Sequence, residues 1–245
     1  MRSVKSLVVA SVALLWLAPP SSAAVVFYVN DQAGFNTATA AFTLAGTETF
    51  EGSNLGPNAI VTFNDPLVPN VANGPFPSGT LTSAGVSVRS NTLGANPTSL
   101  SPRGAFGLTT ASAGYFGTPS DQISNNTQAD SFDLTFAPSN GQFVRAIGMA
   151  PLYFDSSATT PTSHSGSLEI RVYGADQTTL LGTQTITGVN YSGSSFLGVV
   201  SSGGDAIGRI NIWDLSAASH FQGADDISVR TSVLVPVELM GFEIE

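Results

Sequence analysis

Cysteine is absent from all 245 residues, which excludes a disulfide scaffold and a cysteine-linked lipid anchor. Lysine is almost as scarce, since Lys5 is the only one. Histidine is limited to His164 and His220. Neither stands in a metal-ligand spacing or a nucleophile elbow, so no catalytic motif is legible. Long apolar runs are missing too: Leu7 to Leu17 is too short to cross a bilayer. There are no heptads, no repeat of fixed period and no amphipathic helix long enough to dock a partner.

What is present at the start is a leader pattern. Arg2 and Lys5 precede the apolar run, Pro19-Pro20 breaks it, and Ser21-Ser22-Ala23 fits a small-x-small cleavage site. Residues 1–23 are therefore expected to be a secretory signal peptide, with 24–245 a single exported β-sandwich domain that has no membrane span after cleavage. The remaining cations are Arg89, Arg103, Arg145, Arg171, Arg209 and Arg230, against seventeen acidic residues. A surface this acidic excludes nucleic acid and anionic lipid as partners, because both are gripped through Lys and Arg.

Periodicity points to an all-β fold. Asp31 is a good N-cap for one short helix around Phe35, after an initial strand at Val25 to Val29. Later segments alternate. Phe132, Leu134 and Phe136 interleave with Ser131, Asp133 and Thr135, and Val86 and Val88 with Ser87 and Arg89. Similar runs start at Thr47, Ala59, Gly104, Phe143, Ser167, Leu180, Phe196, Ile207 and Ile227. The expected fold is a two-sheet antiparallel, jelly-roll-like sandwich with one short N-terminal helix. Asn64 to Thr80, Asn91 to Arg103 and Ala111 to Ala129 are rich in Pro, Gly, Ser, Thr and Asn and are expected to be loops.

Two constellations stand out. Asp225, Ile227 and Val229 share one face of a period-two strand, so inward aliphatics would carry the Asp225 carboxylate inward with them. An unpaired inward charge is costly, and a partner or a metal is expected beside it. The second set comes from outward parity. If Ile210 and Ile212 are buried, Arg209, Asn211 and Trp213 face the other way; if Leu168, Ile170 and Val172 are buried, so do Glu169, Arg171 and Tyr173. Aromatic rings among hydrogen-bonding groups suit a sugar. On the same parity, a covered Trp213 with both arginines in cross-strand pairs is the alternative.

The signal peptide, the Phe-containing helix, Glu48-Thr-Phe-Glu-Gly52, Ala146-Ile-Gly148, Phe196-Leu-Gly-Val199, Arg209-Ile-Asn-Ile212 and Gly223-Ala-Asp-Asp-Ile-Ser-Val229 together resemble the secreted bacterial β-sandwich proteins of the PEP-CTERM-associated type. The chain ends in Pro236-Val-Glu-Leu-Met-Gly-Phe-Glu-Ile-Glu245 without that sorting tail, so a free secreted form is expected. The resemblance implies association with extracellular polysaccharide or cell-surface matrix. In similar jelly rolls a structural Ca²⁺ is shared by a Glu ending an early strand and an Asp beginning the last one. Glu51 and Asp225 or Asp226 are the matching positions. Capping of turns or pairing with Arg is the alternative role for these acids. The expected protein is a non-catalytic extracellular binder, with a self-assembling matrix protein and a jelly-roll hydrolase or lyase as the other readings.

Overall fold

The computed structural model describes residues 25–79, 81, 84–91, 108–111, 120–126, 131–137, 142–155, 165–202, 205–215 and 220–232. The expected leader, His164 and the Pro236–Glu245 tail lie outside them. In chain order the elements are β1 (Val25–Val29), α1 (Gln32–Ala38), β2 (Thr43–Glu48), β3 (Ile60–Phe63), β4 (Val86–Asn91), β5 (Leu108–Ala111), β6 (Gln122–Asn125), β7 (Ser131–Phe136), β8 (Phe143–Asp155), β9 (Gly166–Gly174), β10 (Leu180–Val189), β11 (Leu197–Ser201), β12 (Ile207–Asp214) and β13 (His220–Ser232).

These strands form two antiparallel sheets, as period-two patterning predicts. The larger is eight-stranded, ordered β1-β11-β8-β13-β6-β5-β3, with β2 also on β13. The smaller is five-stranded, ordered β10-β9-β12-β7-β4. Phe132, Leu134, Ile170, Val172, Ile210 and Ile212 from the small sheet meet Leu108, Ile123, Ile147, Met149, Ile227 and Val229 from the large one in a single core.

The helix packs on the outer face of the large sheet. Asp31 caps it by accepting a 2.8 Å hydrogen bond from Gly34 N. Phe35, buried on its inner side, lies among Tyr28, Ala146, Phe196 and Val200. The close approach is permitted by Gly198 and Gly148, which face each other across β11 and β8 directly beneath that ring.

Boundaries differ from the sequence expectation where backbone geometry intervenes. β2 ends at Glu48, before Glu51, and two residues on Phe50 adopts a left-handed φ of 57° that turns the chain out of extended geometry. The segment expected to be a loop from Ala111 to Ala129 contains β6, a four-residue strand too short and polar to show a periodicity. Strand β13 begins at His220, seven residues ahead of the run that starts at Ile227.

Candidate functional site

All six residues of the expected sugar row are brought together on the outer face of the small sheet. Strands β12 and β9 are neighbours, with Arg209 opposite Tyr173, Asn211 opposite Arg171 and Trp213 opposite Glu169. The parity was right, but the inferred exposure was not. Arg209 and Asn211 are completely buried and Tyr173 is 1% exposed. Only Trp213 and Glu169 at the end of the row are half-buried.

The cause is Asp133 on β7, in register with Asn211 on one side and with Arg89 of β4 on the other. Its Oδ1 accepts from Asn211 Nδ2 at 2.7 Å and Arg209 Nη1 at 3.2 Å. Its Oδ2 accepts from Asn91 Nδ2 at 3.1 Å and Arg89 Nε at 3.2 Å. A carboxylate with this many charge-assisted donors is compatible with burial, because the donors replace the water it loses. Arg209 Nε donates to Gln177 O at 2.9 Å. Arg171 pairs with Glu169 and lies 4.5 Å over the Trp213 ring. Burial pushes the Tyr173 hydroxyl up from its ordinary value, against the pull of Arg209 and Arg171. The row is a structural network: Arg209 makes the cross-strand pair named in the alternative, while Arg171 pairs with Glu169 on its own strand and reaches across only to the Trp213 ring.

The acidic strand start also departs from simple alternation. Asp226 has a left-handed φ of 50°, and the register with β8 slips between Asp225 and Ser228. This bulge puts Asp225 on the face opposite Ile227 and Val229, so it is not an inward residue of the core. The bulge sits where β13 changes partner on its other side, from β6 at Gly223–Ala224 to β2 at Ile227.

Asp225 is nevertheless only 2% exposed. Its Oδ2 accepts from Ser120 Oγ at 2.5 Å and its Oδ1 from Asp226 N at 2.7 Å. Burial, followed by the nearby charges of Asp226 and Glu51, pushes its carboxyl up to about 7, with the Ser120 and Asp226 N–H bonds opposing. Glu51 Oε1 accepts from Asp121 N at 2.9 Å, and Asp121 Oδ2 accepts from Ser53 Oγ at 2.6 Å. Of the three expected calcium ligands, Glu51 and Asp225 are thus drawn together, while Asp226 lines a cleft beside α1. Among the described residues no group of three or more His, Cys, Asp or Glu is gathered so as to hold a metal ion.

The structure shows a different concave surface on the outer face of the large sheet. A cleft of about 360 Å³ is walled by Phe154, Phe221 and Tyr191. Phe154 faces Phe221 across β8 and β13, the rings stacked 5.8 Å apart, and Tyr191 lies 5.0 Å from Phe154. Thr62, Thr109, Ser124 and Asn126 supply its polar side. Sequence reasoning missed it because its walls come from residues 60–62, 109, 124–126, 154, 191 and 221. Phe154 and Phe221 were hidden in extensions of β8 and β13 beyond the expected runs.

A second cleft, of about 400 Å³, lies between α1 and the same two strands. His220 is elsewhere: its Nδ1 is 2.9 Å from Asp214 Oδ2, joining the end of β12 to the start of β13, and Tyr153 packs on its ring. No helix among the described residues is long and apolar enough to cross a membrane.

No family model matches the chain. No curated protein matches it either. Among solved structures it is similar to the crystal structure of the Agl-KA catalytic domain, at 13% identity with a TM-score of 0.30. That match covers 74% of this chain and 30% of the other.

Proposed function

We propose that this protein is a non-catalytic extracellular β-sandwich that associates with polysaccharide or surface matrix through the aromatic-walled cleft. The supporting observation is the juxtaposition of Phe154, Phe221 and Tyr191 with Thr62, Thr109 and Asn126. Sugar C–H faces lie against rings, and sugar hydroxyls exchange water for hydroxyl and amide partners. The Trp213 row is not part of this reading, because Arg209, Asn211, Arg171 and Tyr173 are buried within the fold.

A structural calcium at Glu51 and Asp225 remains a proposal within the same reading. The two carboxylates repel one another, and a hard divalent cation would relieve that repulsion with help from backbone oxygens.

Affinity electrophoresis in gels containing soluble polysaccharides tests the binding. Wild-type protein should be retarded, and Phe221→Ala and Tyr191→Ala, if folded, should migrate as in a polymer-free gel. Retardation that survives both substitutions would place binding elsewhere.

A further inference from the structure

The two clefts of the large sheet share one face and one pair of strands. Phe154 and Phe221 wall the first, while Gly148 and Ala150 of β8 and Ser228 and Arg230 of β13 floor the second. From Phe154 to Gly148 the strand advances roughly 20 Å at the usual rise per residue. The segment between β10 and β11 runs between the clefts, giving Tyr191 to one and Ser194 to Phe196 to the other. It is anchored to the sheet by Gln122 Nε2, which donates to Tyr191 O at 3.2 Å. The ridge it makes is Ser192-Gly193-Ser194-Ser195, without a bulky side chain to block passage.

The second cleft repeats the chemistry of the first. Half-buried Phe196 supplies a ring, backed by the buried Phe35, and Gln32, Asn36, Ser194 and Ser195 supply hydrogen-bonding groups. Among its described lining residues the one cation, Arg230, is matched by the one anion, Asp226, and Arg230 Nη2 already donates to Asn36 Oδ1 at 3.0 Å. Neither cleft therefore offers net positive charge, and the chain as a whole carries −9. A polyanion is repelled by this surface. A small sugar would fill only one cleft.

We propose that the two clefts are subsites of one groove that takes a neutral polysaccharide chain across the Ser192–Ser195 ridge. This rests on the reading of the first cleft as a glycan site. Occupancy of the first subsite makes the second encounter intramolecular, so affinity climbs steeply once an oligomer is long enough to reach both.

The test begins with laminarin, dextran and galactomannan as neutral polymers and alginate as an acidic one, in affinity gels with the full chain. Oligomers of increasing length from the polymer that binds are then titrated by calorimetry. The expected result is weak binding of short oligomers, a gain on the order of 100-fold when both subsites are spanned, and no retardation by alginate. Asn36→Ala and Ser195→Trp, both in the second cleft, should remove most of that gain while leaving short-oligomer affinity unchanged. Phe221→Ala should remove the gain and leave at most the weak binding of the second cleft. Binding without length dependence, or a gain that survives both second-cleft variants, overturns the extended groove and leaves the first cleft standing. Preference for alginate overturns the neutral-ligand assignment. Failure of every polymer to bind overturns both the groove and the reading beneath it.

Discussion

Arg209 lies over the ring of Tyr173, its guanidinium carbon 3.8 Å from the ring centroid, with both side chains buried in adjacent strands of the small sheet. Stacking satisfies the face of the guanidinium while its edge reaches Asp133 and Gln177. The cation is held from three directions.

Asp133 should therefore be among the least replaceable residues of the chain. Asp133→Ala leaves the buried Arg209 and its neighbour Arg89 without their shared carboxylate, and the expected loss is about 3–5 kcal/mol. Tyr173→Phe keeps the ring under the guanidinium and should cost far less. Urea unfolding followed by tryptophan fluorescence compares them, and a loss below about 1 kcal/mol for Asp133→Ala would contradict the network.

Asp225 should impose a pH dependence of the opposite sense from a salt-bridged carboxylate. Its folded-state value is raised to about 7 from the usual 3.8. The folded chain thus holds a proton that the unfolded chain releases. The stability contribution is fully present below about pH 4 and is lost as pH rises to about 7, at up to ~1.4 kcal/mol per pH unit. Asp225→Asn should flatten this slope and raise stability at pH 8. A wild-type melting temperature whose slope through this window matches that of Asp225→Asn would count against the assignment.

A calcium ion at the proposed Glu51 and Asp225 site would compete with the proton on Asp225. At pH 8, millimolar Ca²⁺ should raise the melting temperature of the wild type, by the equivalent of about 2.7 kcal/mol at a hundred times Kd. At pH 5 the effect should shrink, because Asp225 is protonated, and in Asp225→Asn it should vanish. Scanning calorimetry with and without chelator decides; identical melting temperatures at pH 8 remove the cation.

The parity within each strand was more legible than the pairing of strands or the fate of the faces they present. Alternation placed Arg209, Asn211 and Trp213 on one face of their strand and Glu169, Arg171 and Tyr173 on one face of theirs, as they are; that the two strands are neighbours came only from the fold. Alternation held no information on burial of those faces, because polar residues read as outward whether they meet water or a partner such as Asp133. Asp225 failed for a local reason. Period-two reasoning assumes an unbroken strand, and the left-handed Asp226 inserts an extra residue that reverses every assignment upstream. The aromatic cleft was illegible because Phe154, Tyr191 and Phe221 meet only through the register of β8 with β13 and the crossing segment at Tyr191.

Docking of α1 depends on the bare backbone under it. A Cβ at Gly198 would lie 2.5 Å from Phe35 Cδ2 and 2.8 Å from its Cγ, closer than any real contact. The ring is buried and packed among Tyr28, Ala146, Phe196 and Val200. Gly198→Ala should accordingly cost about 1–3 kcal/mol through overpacking. At exposed Gly56, where nothing lies within 4 Å of the added methyl, alanine should be neutral or slightly stabilising. The clash is specific to one partner, which makes a double-mutant cycle informative. Phe35→Ala alone removes a buried ring at about 3–5 kcal/mol, but adding Gly198→Ala to it should cost little more, because the methyl then enters the vacated space. The coupling energy from urea unfolding is expected at 0.5–3 kcal/mol. Simple additivity of the two substitutions would mean that the glycine serves the strand pairing of β11 with β8 and not the seating of the helix.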